Sequence, residues 1–162
     1  MRMRSLWWLF GLLFVCSLAV YVVGTGSLSA MAVNTAVGHG RRQLDAERVV
    51  ADMTAAQQAL LQHRDRVQTL GFLFPNPDFG RADAMYQQIE QFRQQFQWLA
   101  TSGATETAPT QQFATAIEQL KAFRVSSLSV MSPGMQTAVG VLTLVLGVLA
   151  ALLFGVRFLA GD

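Results

Sequence analysis

Two histidines, one cysteine and a short run of carboxylates carry most of the reactive chemistry in this 162-residue chain. His39 and His63 stand 24 positions apart. On one continuous helix that is about 36 Å, too far for both to hold one metal ion. Asp45, Glu47 and Asp52 follow His39, but no cysteine or carboxylate joins a histidine at a metal-ligating spacing. These acids are expected on a solvated, charged helix face. Cys16 lies in an apolar run and has no second cysteine to pair with. No Ser–His pairing, phosphate loop or dinucleotide fingerprint is present. The expectation is a non-enzyme with no catalytic, cofactor-binding or metal-ligating residue. His63 is expected as the polar member of a helical seam, setting register alone or against a second copy.

The elements that must position these residues are dominated by two uncharged runs, Leu6–Gly24 and Ala138–Val156, of 19 residues each. A helix needs roughly 20 such residues to cross a bilayer. The fold class expected is an all-α membrane protein. Two transmembrane helices, 6–24 and 135–158, flank an extracytoplasmic helical segment, 25–134. Residues 1–5 and 159–162 are short cytoplasmic ends. A second reading of the first run is a cleaved secretory signal, with small residues at Ala30 and Ala32. No ionisable residue lies inside either run, so ion transport by this chain alone is not expected. Gly140, Gly147, Ala151 and Gly155 are spaced to let helix backbones approach in lipid. Their partner would be the first span, a second copy or another membrane protein.

The sequence pI near 9.2 suggests a nucleic-acid binder until the charges are placed. From Thr25 to Gly134 nine basic residues meet nine acidic ones. The excess is Arg2, Arg4 and Arg157 against Asp162, all beside the apolar runs. Nucleic acid is therefore not an expected partner. Positive flanks favour the cytoplasm, while a long loop translocates whatever its charge. Both termini are expected inside and the middle outside, in a bacterial inner membrane with the central segment periplasmic.

That middle segment has helical periodicity. Ala46, Val49, Met53, Ala56, Leu60, His63 and Val67 form one seam. Ala82, Met85, Ile89, Phe92, Phe96 and Leu99 form a second. Laid antiparallel they match in register: Met53 meets Phe96, Ala56 meets Phe92, and Leu60 meets Ile89. A third seam, Phe113 to Val130, predicts a helix over 110–131. The architecture expected is an antiparallel coiled-coil hairpin. One long outgoing helix, Ser27–Leu70, spans about 66 Å and two shorter helices return, joined by a linker at 102–109. Gly38 and Gly40 are a place where the outgoing helix would bend. So thin a hairpin buries little core, which predicts a homodimer or membership of a larger complex. Asn76 is expected to cap the second helix. The glutamines of "YQQIEQFRQQFQW" are expected on a neutral solvated face, and Trp98 falls off the seam.

The stretch "GFLFPNPDFG", Gly71 to Gly80, is expected as the distal tip, with its loop at 71–76. Phe72, Leu73, Phe74 and Phe79 either cap the open end of the hairpin or offer a contact to a partner; dipping into an opposing membrane ranks last, because Arg81 is the only basic residue near the tip. The function expected is a structural or accessory subunit of a membrane or envelope-spanning assembly. Its partners would be other envelope proteins and the lipid bilayer. An alternative rests on layout alone: span, helical segment, span is similar to the sensor part of bacterial chemoreceptors. A third is a secreted helical protein with a C-terminal anchor.

Overall fold

The computed structural model describes residues 3–74, 76–102, 107–125 and 127–159. Among these residues there are six helices and no strand, so the all-helical expectation holds. They are α1 (Met3–Thr25), α2 (Ser27–Gly40), α3 (Ala46–Thr69), α4 (Gly80–Thr101), α5 (Thr107–Ala122) and α6 (Pro133–Leu159). Residues 103–106 of the expected linker, Met1 and Arg2, and Ala160 to Asp162 of the expected C-terminal tail lie outside the described residues. The chain divides into two units: Met1–Thr25 with Met131–Asp162, and Gly26–Val130.

The first unit is an antiparallel helix pair. Both helices are long and apolar enough to cross a membrane, over Trp8–Thr25 and Pro133–Val156. Only 11% and 6% of these windows are buried, so neither is the core helix of a globular protein. Small and polar side chains make the contact. The Ser17 and Thr143 hydroxyls lie 2.6 Å apart. Thr143 also donates to the Val139 carbonyl at 2.8 Å, leaving it to accept from Ser17. A Cβ on Gly147 would sit 2.9 Å from Phe14 Cε2, and one on Gly140 would sit 3.3 Å from Tyr21 Cε2. Glycine lets the α6 backbone approach an aromatic ring at both points.

The second unit makes four passes, not the expected two. The outgoing arm is not one helix. It stops at Gly40, turns through 41–45, and returns as α3 packed beside α2. Arg42 N–H bonds to the His39 carbonyl at 2.9 Å and Gln43 N–H to Gly40 at 3.2 Å, tightening the turn. Asp45, in extended conformation, then caps α3 by accepting from Glu47 N–H at 3.0 Å. Such a cap contributes about 1 kcal/mol. The apolar phase shift between Val37 and Ala46 is the sequence trace of this break. At Gly40 a Cβ would lie 2.9 Å from Met53 Cε, the flexible end of an α3 side chain, and 3.6 Å from Asp52 Cβ.

α3 and α4 run antiparallel, tied by Gln57 Nε2 to Glu90 at 2.6 Å and by an Arg64–Asp83 ion pair at 3.6 Å. α4 begins at Gly80, three residues later than the expected Pro77 start, and Asp78 rather than Asn76 accepts its first N–H. The fourth pass is half helix. α5 ends at Ala122, and residues 123–125 and 127–131 are not helical, against the expected helix to 131. The stretch "RVSSLSV" explains this: β-branched and serine residues are poor helix formers and suit an extended chain. Val125, Leu128 and Val130 are buried along it.

One cluster of apolar residues fills this unit. Val33 and Val37 of α2, Met53, Ala56 and Leu60 of α3, and Ile89 and Phe96 of α4 join Leu120, Val125 and Leu128. Phe92 packs against it, edge-on to Phe123. One chain thus buries an apolar core of its own.

Candidate functional site

Three polar side chains of the second unit, Asn34, Arg41 and His63, hold its fourth pass. Asn34 donates from Nδ2 to the Val125 carbonyl at 2.9 Å and accepts the Val125 N–H at 3.1 Å. It mimics a strand neighbour for an extended chain. Arg41 donates from Nε to the Leu120 carbonyl at 3.0 Å and from its terminal amine to the Phe123 carbonyl. Carbonyls at a helix C-terminus have no helical partner, and a cation suits that end of the dipole. His63 is 1% exposed, and its Nε2 lies 3.0 Å from the Leu128 carbonyl. A carbonyl only accepts, so Nε2 carries the proton. Burial pushes the His63 pKa down, the Leu128 bond pulls it back up, and nearby Arg66 lowers it further.

Gly26 completes this latch. It has φ +64°, the left-handed region that glycine adopts without strain. A Cβ there would sit 2.7 Å from Leu128 Cβ, 2.8 Å from Leu128 O and 2.9 Å from His63 Cε1. The chain's entry into the second unit, the late part of α3 and the end of the fourth pass are therefore packed at one place. Asn34, Arg41 and Gly26 were not singled out from sequence as contacts. Asn34 and Arg41 find their partners 79 to 91 positions away, beyond any local pattern.

Glu90 accepts from Arg93 at 2.6 and 2.8 Å, from Gln57 at 2.6 Å and from Gln94 at 2.8 Å. These bonds, Arg93 first, bring its pKa down to about 2. It is a fixed carboxylate suited to joining helices, not to moving protons. No group of three His, Cys, Asp or Glu side chains could hold a metal among the described residues. Asp45 caps a helix and Asp52 accepts from Gln43, so the acids near His39 have separate structural roles.

Within the second unit, the aromatic stretch lies at the end where the chain enters and leaves. Asp78 N–H points to the Val130 carbonyl at 3.4 Å, and Val130 is the last residue of the second unit. Gly26, the first residue, lies beside His63, two helical turns before the loop. The loop thus shares an end with both chain connections. The physical reason is parity: the break after α2 adds a pass, and the α3–α4 connection changes ends. The four expected contact residues also separate. Phe74 is 3% exposed and serves packing. Phe79 is half-buried with the Arg64 guanidinium 5.3 Å from its ring centroid. Leu73 is half-buried, and Phe72 is 80% exposed.

The opposite end carries the 41–45 turn and the close of α4. Leu44 is 95% exposed and Trp98 57% exposed, so α5 does not cover Trp98. Of the four small residues in α6, Gly140 and Gly147 meet α1. Ala151 is exposed, and nothing lies within 4 Å of a Cβ built on Gly155. No protein-family model matches the chain, and no curated protein or solved structure matches it.

Proposed function

We propose that this chain is a two-span, non-enzymatic accessory subunit of a bacterial inner-membrane or envelope assembly. α1 and α6 anchor it, with both termini cytoplasmic and the helical unit on the periplasmic side. The unit engages a protein partner through the end bearing Leu44 and Trp98.

The carrying observation is a division of labour among side chains. Asn34, Arg41, His63 and Glu90 are bound to other parts of the fold. Two large apolar residues away from the chain connections face solvent at one end of the unit. Exposed aromatic and aliphatic side chains of this kind anchor protein interfaces. The test is mild-detergent purification of a tagged chain, with native mass and identification of what accompanies it. A stoichiometric membrane protein that is lost from a Leu44→Ser/Trp98→Ser variant is the expected result. A clean homodimer that a small ligand stabilises against heat would replace this reading with a sensory one.

A further inference from the structure

We propose that the loop segment 70–74 is a membrane-contact element, with the Phe72 side chain seated in the interfacial zone of the bilayer that holds α1 and α6. This rests on the two-span reading above. Three observations carry it.

Connectivity limits where the loop can be. Asp78 is hydrogen-bonded to Val130, three residues before Pro133 opens the apolar helix α6. Three residues span at most about 11 Å of extended chain. On the other side, Gly26 follows directly on α1 and lies against His63. α3 then continues six residues past His63, about 9 Å of helix, before the loop begins. The loop therefore lies at the end of the second unit where the chain enters after α1 and leaves toward α6.

Side-chain burial shows what faces outward there. Phe74 turns inward and Phe79 lies beside Arg64, while Phe72 is left 80% exposed. Leu28, one residue into α2 and at the same end, is 59% exposed. Phe72 sits on a loop fixed by Leu73 and Phe74 N–H bonds to the Leu70 carbonyl. A fixed apolar side chain there suits an interface of acyl and headgroup groups.

The charge around the loop selects the lipid chemistry. Arg64, Arg66 and Arg81 are matched by Asp65, Asp78 and Asp83. The contact is thus apolar and works with zwitterionic lipid, without the salt dependence of a basic patch.

The experiment uses the full chain in phosphatidylcholine vesicles, in a Cys16→Ala background. Single cysteines at Phe72→Cys, Leu44→Cys and Val145→Cys carry an environment-sensitive fluorophore, and spin-labelled lipids act as quenchers. The label at 145 should be quenched by deep spin labels. The label at 72 should be blue-shifted and quenched by shallow labels several-fold more than the label at 44, unchanged in high salt. A quenched 145 with a water-exposed 72 overturns the loop contact and leaves the spans standing. A 72 label shielded from aqueous iodide yet untouched by spin-labelled lipid means a protein surface covers it, which also overturns the proposal. An unquenched 145 overturns the two-span reading and this inference with it.

Discussion

His63 holds the fourth pass through a single neutral hydrogen bond, and its protonation works against the fold. Its pKa in the folded chain lies below the ordinary 6.5 because burial disfavours the imidazolium. The unfolded chain binds the proton near 6.5, so unfolding takes up protons as the pH falls. The stability that neutral His63 contributes is fully present above about pH 6.5 and is lost as the pH drops through 6.5 to the depressed value. Glu90 adds no slope there. Its contribution is held above 4.5 and disappears only between 4.5 and about 2. Thermal unfolding followed from pH 7.5 to 5 should show a falling midpoint in the parent chain. A His63→Gln variant, whose amide can donate to Leu128 O without titrating, should show a flatter profile. An unchanged slope in the variant would assign the pH response to another group.

At the scale of elements, the α1–α6 pair shows why position matters more than a small-residue pattern. Gly147 sits against Phe14, while Gly155 of the same stripe has open space. Gly147→Leu must displace an aromatic ring and separate the helices. Overpacking of this kind costs about 1–3 kcal/mol. Gly155→Leu should be tolerated. The check is an intrachain disulfide between Ser17→Cys and Thr143→Cys, placed where the hydroxyls are 2.6 Å apart, in a Cys16→Ala background. Its formation should fall sharply with Gly147→Leu and stay near the parent level with Gly155→Leu. Equal losses would mean the pairing does not depend on the close approach at Gly147. The stripe was legible in the sequence; which of its members touch α1 was not, because that depends on the register of two helices over a hundred residues apart.

At the scale of the whole molecule, the proposed orientation has a direct consequence. The Leu44 end and the aromatic loop belong to one unit and must lie on the same side of the membrane, opposite both termini. In intact cells, membrane-impermeant maleimide should label Leu44→Cys once the outer barrier is permeabilised. A C-terminal tag should stay protected from external protease. Labelling of Leu44→Cys only after lysis of the inner membrane would reverse the orientation.

Much was settled by sequence alone, because it follows from short-range rules. Apolar runs long enough for a bilayer, the helical character of the described residues, the α3 and α4 seams, and the neutral charge of the middle segment need only composition and periodicity. Met53, Ala56, Leu60, Ile89, Phe92 and Phe96 are all in or against the core cluster, since a helix must bury its apolar stripe. Tertiary structure decided what depends on chain direction. Whether helix continued or broke at Gly40 was a balance of local preferences, and the core gained by folding α2 onto α3 settled it. That one break added a pass and brought the aromatic loop to the end where both chain connections lie. Non-local bonds from Asn34, Arg41 and His63 then held residues 120–128 as the fourth pass. No periodicity records bonds across so many residues, because their partners are backbone carbonyls and amides, identical in every sequence.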